Sequence, residues 1–366
     1  MSLTAGIVGL PNVGKSTLFN AITKQHILAA NYPFATIEPN VGVVIVPDKR
    51  LEFLTALYFP VNTIPTTFEF IDIAGLVKGA AVGEGLGNKF LSHIREVDAI
   101  CEVVRCFDDS NITHVEIGID PIRDVEIVNV ELMLADLEII NKRISVVGKK
   151  AAQSADKQIR QEHEVLTKIK DALNQNIPVR KIKFNEDELK MIKSFNLLTA
   201  KPIIFIANIA EKEIGMVDNE YVKALKEYAL NNESEVISLC AKIESELSEL
   251  SDDDHTMFLQ ELGLETSGLD SLIRATYHLL GLATYFTAGQ PEVRAWTFVK
   301  GMKAPECAGI IHTDFEKGFI RAEIMSFDDL KKYGDEKLVK EAGKLRLEGK
   351  EYTMIDGDIC HFRFSA

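Results

Sequence analysis

The feature that most constrains this chain is the string GLPNVGKST at residues 9–17, which matches the pattern G-x-x-x-x-G-K-[ST]. A short apolar run at residues 5–8 precedes it, and residues 16–24 follow with the apolar spacing of a helix. A strand, a glycine-rich loop and a helix in this order form the loop that encloses the phosphates of a nucleotide. The sequence therefore predicts a P-loop nucleoside triphosphatase domain of α/β class.

Each residue type in the string suits this chemistry. The glycines allow backbone N–H groups to close around the β-phosphate at a helix N-terminus. We expect Lys15 to reach the β- and γ-phosphates and the Ser16 hydroxyl to ligate Mg²⁺. The residues of the loop predicted to contact the nucleotide are Asn12, Val13, Gly14, Lys15, Ser16 and Thr17.

Two further segments supply groups for the γ-phosphate and the metal. The string IDIAG at residues 71–75 closes a strand-like run, so Asp72 suits a place beside Mg²⁺ and the Gly75 amide can meet the γ-phosphate. Thr36 lies between the P-loop helix and the next strand, where its hydroxyl can close over Mg²⁺; an ordinary loop threonine is the equal alternative. The prediction is Mg²⁺ held by Ser16, Thr36 and Asp72, with Lys15, Thr36 and Gly75 as catalytic groups.

Apolar runs that alternate with amphipathic stretches predict the rest of the fold. The short runs rich in branched apolar residues are 41–46, 67–72, 99–107, 202–207 and 235–240. Strands separated by helices predict a doubly wound, mostly parallel sheet, which binds ligands at the carboxyl ends of its strands.

A helical pattern interrupts this sheet. Between residues 120 and 201, apolar residues recur at spacings of three and four, with a break near residues 151–154. This predicts a helical hairpin, a short antiparallel coiled coil. Two helices alone bury little apolar surface, so we expect the hairpin to project.

The last 85 residues have a third pattern. Short alternating runs flank one helical stretch at residues 327–342, and DGD at residues 356–358 is a turn signal before the last strand. A small mixed sheet with one helix is expected. The predicted domains are a nucleotide-binding domain (1–125 and 199–281), a helical insert (126–198) and a C-terminal domain (282–366).

Charge is distributed unevenly along the chain. The whole sequence carries −14, which argues against a general nucleic-acid coat. Residues 142–201 hold 14 Lys and Arg against 7 Asp and Glu, a net charge of +7, so the remainder carries −21. The basic segment coincides with the helical hairpin and is a candidate surface for a polyanionic partner.

Composition favours a soluble protein of the reducing cytoplasm. No stretch approaches the roughly 18 apolar residues that a membrane helix needs, and no basic-then-apolar leader is present. The five cysteines are odd in number and form no CxxC pair, so buried free thiols are expected. No membrane association is expected, and nothing in the sequence demands more than a monomer.

The strings around the P-loop resemble one family. NYPFATIEPN at residues 31–40 resembles switch I of Obg-related P-loop proteins, and DIAGLV at residues 72–77 resembles their switch II. YFTAGQ at residues 285–290 and HTDFEKGFIR at residues 312–321 are similar to a TGS domain, a β-grasp fold. With the helical insert, the whole chain resembles the YchF/Obg-like ATPase family. The resemblance implies ATP hydrolysis and ribosome association, the latter through the basic insert and the TGS-like domain. It also places Phe107 against the base, with core packing as the alternative, and Cys240 in the last nucleotide-binding loop.

The base preference can be argued from residues 208–211, NIAE, which stand where a GTPase has NKxD. In a guanine site a short carboxylate accepts hydrogen bonds from two donors that adenine lacks, and such a carboxylate facing adenine is left unpaired. Ile209 replaces the lysine and Glu211 the aspartate. Asn208 can either bond the base edge or support the P-loop. The residues predicted on the base side are Phe107, Asn208, Ile209 and Cys240.

The predicted function is an ATPase switch that hydrolyses ATP slowly with Mg²⁺. Slow hydrolysis is expected because Leu76 follows the DxxG string, where many GTPases carry a water-orienting glutamine. Asn12 resembles a P-loop asparagine that helps to hold K⁺ in some relatives, which makes K⁺ a second candidate ion. The alternatives are an Obg-type GTPase, and a ribosome- or RNA-binding module whose nucleotide site is only structural.

Overall fold

The computed structural model describes residues 3–29, 40–73, 86–109, 112, 118–153 and 156–365. The chain divides into two compact units. One is built from stretches within residues 1–28, 37–42 and 69–272, and the other from stretches within residues 29–36, 43–68 and 273–366.

Strands and helices are interspersed from residue 4 to residue 279. In order these elements are β1 (Thr4–Val8), α1 (Lys15–Ala29), β2 (Val41–Ile45), α2 (Lys49–Tyr58), β3 (Asn62–Ile64), β4 (Thr67–Asp72), α3 (Leu86–Glu96), β5 (Ala99–Arg105), α4 (Pro121–Gln153), α5 (Lys157–Asn174), α6 (Glu186–Lys193), β6 (Ile203–Asn208), α7 (Glu220–Asn231), β7 (Glu235–Leu239), α8 (Ala241–Leu247), α9 (Asp252–Glu261) and α10 (Gly268–Leu279).

The remaining elements belong to the C-terminal part. They are β8 (Leu282–Ala288), β9 (Glu292–Val299), α11 (Ala304–Ile311), α12 (Thr313–Lys317), β10 (Phe319–Ser326), α13 (Phe327–Tyr333), α14 (Glu336–Glu341), β11 (Arg346–Glu348) and β12 (Asp358–Phe364). None of the helices among the described residues combines the length and apolar character needed to span a bilayer.

The first sheet confirms the doubly wound prediction. Its strand order is β2-β4-β1-β5-β6-β7, and β1 pairs in parallel with both β4 and β5. β5 also pairs in parallel with β6, and β6 with β7. The interior strands β5 and β6 are buried along their whole length, as expected of strands covered on both faces. The register sets Arg105 opposite Asn208, so the carboxyl ends of these strands meet at one edge.

The predicted helical hairpin is present as α4 and α5, and the break falls where the sequence places it. Asp120 accepts the backbone N–H groups of residues 122 and 123, which starts α4, and Pro121 follows it at the first helical position. α4 is one helix of 33 residues and crosses the predicted boundary at residue 126. The domain boundaries themselves stay a prediction.

The hairpin buries more apolar surface than two helices alone would bury. Its core continues into the segment before β6, since Val179, Ile192 and Phe195 pack with side chains of α4 and α5. Asp136 of α4 is fully buried and accepts the backbone N–H groups of Leu198 and Thr199, each at 2.8 Å. These contacts attach the insert to the chain that enters β6.

The C-terminal unit contains a mixed six-stranded sheet in the order β11-β10-β12-β8-β9-β3. β12 and β8 run parallel, and β8–β9, β10–β12 and β10–β11 are antiparallel. The edge strand β3 comes from residues 62–64 and pairs in parallel with β9. Sequence patterns did not reveal this strand, because three residues carry no periodicity.

The expectation of one helix in this unit was wrong. The stretch predicted at residues 327–342 is two helices, because Gly334 ends α13 in the left-handed conformation (φ 76°) and Asp335 caps α14. α11 and α12 were also missed. Gly357 has φ 87° directly before β12, as the turn signal predicts.

Candidate nucleotide-binding site

The loop between β1 and α1 has the backbone conformation that a phosphate-binding loop requires. Gly9, Asn12 and Gly14 have φ values of 147°, 64° and 103°. A Cβ on Gly9 would lie 2.5 Å from the carbonyl oxygen of Val103, and one on Gly14 would lie 2.2 Å from the Asn208 side chain. Both positions therefore exclude a side chain as well as favouring glycine for its dihedral angles.

Lys15 begins α1 with its side chain buried, 8% of the residue being exposed. Its Nζ donates to the carbonyl oxygen of Leu10 at 2.7 Å. Burial lowers the pKa of Lys15 to about 8, and the Asp72 carboxylate acts in the opposite direction. Burial also raises the pKa of Asp72, against the effect of Lys15. The two side chains therefore act electrostatically on each other at the phosphate end of the site.

Asn208 at the end of β6 supports the P-loop. Its Nδ2 donates to the carbonyl oxygen of Val13 at 2.8 Å, and its Oδ1 accepts from the backbone N–H of Ala241 at 3.0 Å. Asn208 is buried. Of the two roles left open by the sequence, the structure therefore shows the supporting one.

The base side of the site has an ion pair at its rim. Lys242 Nζ lies 2.8 Å from Glu211 Oε2, and both side chains are exposed. The Ile209 backbone N–H donates to Leu239 in β7. Cys240 is buried, and burial raises the pKa of its thiol. The carboxylate in the position of the guanine-binding aspartate thus already has a cationic partner.

Arg105 lies behind the cavity wall, and the sequence motifs did not reveal it. It ends β5 with 1% of its surface exposed, and its guanidinium donates to the carbonyl oxygens of Phe107, Asp109 and Ile112. The available signal was an arginine inside an otherwise apolar run, AICEVVR. A buried cation of this kind requires several hydrogen-bond acceptors around it.

A cavity of about 500 Å³ lies over the carboxyl ends of the strands. Its walls include nearly all the predicted nucleotide contacts: Asn12, Gly14, Lys15, Ser16, Thr17, Phe107, Asn208, Ile209 and Cys240. Val13 does not line the cavity, because its side chain is buried. Its carbonyl oxygen accepts the hydrogen bond from Asn208. Asp72 is not among the lining residues. Thr36, Gly75 and Leu76 lie outside the described residues.

The phosphate end suits Mg²⁺ by the chemistry of its donors. Mg²⁺ prefers hard oxygen ligands and retains waters and substrate phosphate oxygens in its coordination sphere. Ser16 is exposed on the cavity wall, and Asp72 is a half-buried carboxylate whose pKa is raised by burial. A hydroxyl and a carboxylate of this kind fit the ion.

Comparison with known proteins extends over the whole chain. It is 61% identical over 366 residues to the "Ribosome-binding ATPase YchF" of Bacillus subtilis (strain 168), covering 100% of both chains. The protein of the same name from Escherichia coli O157:H7 is 51% identical over 365 residues, again with 100% of both chains covered. The chain belongs to the YchF family.

Structural similarity within the YchF family is equally extensive. A solved structure described as "Structure of the Schizosaccharomyces pombe YchF GTPase" superposes with a TM-score of 0.90 at 42% identity, covering 99% of this chain and 98% of that one. Residues 4–150 match a domain family described as "50S ribosome-binding GTPase". Residues 282–365 match the C-terminal YchF family, described as "Protein of unknown function (DUF933)". The fold class is thus a P-loop GTPase-type domain with a YchF C-terminal domain.

The names of YchF family members differ in the nucleotide that they imply. The bacterial relatives are called ATPases, whereas the fission-yeast structure and the N-terminal domain family are called GTPases. The base side of the cavity therefore carries the argument about nucleotide preference in this chain.

Proposed function

We propose that this protein is an ATPase switch that binds ATP with Mg²⁺, hydrolyses it slowly to ADP and phosphate, and associates with the ribosome. The observation that carries the ATP preference is the Glu211–Lys242 ion pair next to Ile209. A guanine site needs a free short carboxylate directed at two base donors. Here the carboxylate is one methylene longer and is engaged by a lysine.

The phosphate end supplies binding and orientation. Backbone N–H groups of residues 12–14 and the Lys15 ammonium would hold the β- and γ-phosphates, with Thr17 beside them. Ser16, Asp72 and Thr36 would hold Mg²⁺, which neutralises phosphate charge when bound. The Gly75 amide would meet the γ-phosphate. Hydrolysis is slow because Leu76 cannot orient water, so an added partner or another residue completes the site.

Ribosome association is supported by the names of the bacterial relatives and by charge on the helical insert. Part of that charge is locally balanced: Lys142 pairs with Glu138, and Arg143 with Glu162. These local pairs do not change the net charge of +7 over residues 142–201. Lys149, Lys150 and Lys157, near the turn of the hairpin, are exposed, and the described residues include no ion-pair partner for them.

The TGS-like C-terminal domain is a second ribosome contact, the protein acts in the cytoplasm as a monomer, and Asn12 is the candidate ligand for K⁺. The two alternative functions are an Obg-type GTPase, which the names of the fission-yeast structure and the N-terminal domain family favour, and a binding module with a structural nucleotide site.

The deciding experiment is calorimetry of ATP and of GTP on the same nucleotide-free protein with Mg²⁺. We expect the dissociation constant for ATP to be at least tenfold lower than that for GTP. The matched variant, Ile209→Lys with Glu211→Asp, restores the guanine-binding residues and should shift the ratio towards GTP. Tighter GTP binding by the wild type would support the GTPase alternative. If bound ATP is not hydrolysed in a single-turnover assay, the result supports the alternative in which the nucleotide site is only structural.

A further inference from the structure

Arg105 carries a positive charge that is buried beside the base side of the cavity. Among the residues that the structure describes, no carboxylate forms an ion pair with it. Its charge is instead met by carbonyl oxygens: Nε donates to Phe107 at 3.2 Å, Nη1 to Ile112 at 2.9 Å and Nη2 to Asp109 at 2.9 Å. One side chain therefore ties together three points of the segment that follows β5.

The same guanidinium covers one face of the Phe107 ring. The distance from Arg105 Cζ to the ring centroid is 4.7 Å, within the range of a cation–π contact. Phe107 is half-buried and lines the cavity, as do Asp109 and Ile112. All three residues that Arg105 holds through their carbonyls are thus cavity-wall residues.

We propose that Arg105 is a positioning residue that sets the affinity of the site for the base of the nucleotide. It acts through Phe107. The guanidinium holds one face of the Phe107 ring, and the opposite face, towards the cavity, stacks on the base. This rests on the proposed function, since it assigns a role in the same nucleotide site.

The geometry requires arginine and not merely a positive charge. Its planar fork presents five N–H donors and a flat face, so it can donate in three directions and cover a ring at once. A lysine ammonium has three donors at a single point and no flat face. Lysine at this position would keep the charge and lose both the divergent hydrogen bonds and the ring contact.

Other attachments of the same segment offer a matched control. Tyr221 of α7 donates its hydroxyl to Asp108, which also lines the cavity, at 3.2 Å from Oδ2. Arg105 makes no hydrogen bond to the Asp108 side chain among the described contacts, so Tyr221→Phe removes a hydrogen bond from this segment and leaves the three acceptors of Arg105 in place. A general loosening of the segment and a specific effect through Phe107 can thus be compared.

The test compares Arg105→Lys with the wild type for two ligands with Mg²⁺, ATP and inorganic triphosphate, which has no base. Arg105→Lys should weaken ATP binding about tenfold, the scale of one base–aromatic stacking contact. Binding of inorganic triphosphate should change less than twofold, and kcat at saturating ATP should stay near the wild-type value. Tyr221→Phe should change neither dissociation constant by more than twofold.

Two results would overturn the proposal. One is unchanged ATP binding by Arg105→Lys. The other is an equal loss for ATP and inorganic triphosphate, which would assign Arg105 to general support of the fold. A double-mutant cycle adds a direct check: in a Phe107→Ala background, Arg105→Lys should have little further effect on ATP binding.

A second variant covers the case in which Arg105→Lys fails to fold. Phe107→Leu keeps the carbonyl acceptor and an apolar side chain but removes the ring, so it should show the same base-selective loss. Unchanged ATP binding by Phe107→Leu would equally overturn the proposal. A wild-type preference for GTP would contradict only the proposed function. The wild type and Arg105→Lys would then be compared with GTP and inorganic triphosphate as ligands.

Discussion

The side-chain amide of Asn208 donates to the backbone carbonyl of Val13 over 2.8 Å, which joins the end of β6 to the phosphate-binding loop. The other end of the same amide accepts from Ala241 at the start of α8. Two of the loops that line the cavity are therefore held by one buried side chain. Any change at Asn208 should alter both loops.

Replacing Asn208 with alanine should destabilise the protein by about 1–3 kcal/mol, because a buried carbonyl and a buried N–H lose their partner. ATP affinity should fall with it, since the P-loop loses its support. Urea unfolding and ATP calorimetry measure the two effects. The control is Asn232→Ala, which removes a side-chain bond to the Tyr228 carbonyl away from the cavity. Equal ATP binding by Asn208→Ala and the wild type would contradict the supporting role.

The affinity for ATP should fall as the pH rises above about 8. Burial lowers the pKa of Lys15 to about 8 in the free protein, so the amine is increasingly neutral above that pH. In the complex the triphosphate stabilises the charged form of Lys15 and so raises the pKa of Lys15. ATP binding therefore takes up a proton. ATP affinity should fall by nearly tenfold per pH unit until the pH reaches the pKa of Lys15 in the complex.

Calorimetry at pH 8.5 in two buffers of different ionisation enthalpy measures that proton uptake directly. The control is Lys15→Ala, which should bind nucleotide weakly, keep the native circular dichroism spectrum and show no uptake. ATP affinity that stays constant from pH 7 to pH 9.5 would argue against a role for the Lys15 charge.

Glu244 predicts a pH dependence of folding stability. It is buried in α8 and accepts the backbone N–H groups of Gly268 and Leu269, which start α10. Burial raises its pKa to about 7 despite these bonds. The native state therefore holds a proton that the unfolded chain releases. The free energy of unfolding should fall by up to about 3 kcal/mol as the pH rises from about 4.5 to 7.

Denaturant unfolding of the wild type and Glu244→Gln across that pH range isolates this contribution. Glutamine does not titrate, so the difference between the two stabilities should shrink or reverse with rising pH. Glu246→Gln, an exposed change on the same helix, is the control and should follow the wild type. Parallel curves for all three proteins would show that Glu244 does not titrate as inferred.

Reversing the four basic residues near the hairpin turn, Lys149, Lys150, Lys157 and Arg160, to glutamate should weaken co-sedimentation with ribosomes and leave ATP affinity unchanged. Phosphate contacts release counterions, so ribosome affinity should fall steeply with salt, with a slope of about −0.9 per phosphate neutralised on duplex nucleic acid. Measurements with ATP bound, over a series of salt concentrations, test both points.

A matched pair controls for net charge. Lys149→Glu with Lys150→Glu changes the total by as much as Lys223→Glu with Lys226→Glu on α7, where both lysines have acidic partners. Only the first pair should weaken co-sedimentation. Undiminished, salt-insensitive binding by the fourfold variant would exclude the hairpin and leave the C-terminal domain as the candidate contact.

Elements with a strong local signal could be predicted from the sequence. The P-loop string determines its own strand, turn and helix, because its glycines occupy positions with positive φ and no room for a Cβ. The buried parallel strands follow from runs such as IIFIAN in β6, and the hairpin follows from apolar spacing over many residues. These signals involve residues close together in the chain.

Long-range contacts required the tertiary structure. Asn208 and Val13 are 195 residues apart, and no local pattern distinguishes a loop-supporting asparagine from a base-binding one. The sequence by itself determined the phosphate-binding loop, the parallel strands around it and the helical insert. The tertiary structure decided that Asn208 supports the loop, that Glu211 pairs with Lys242 and that Arg105 holds Phe107. The physical reason is that these polar contacts depend on which strand ends the sheet brings side by side.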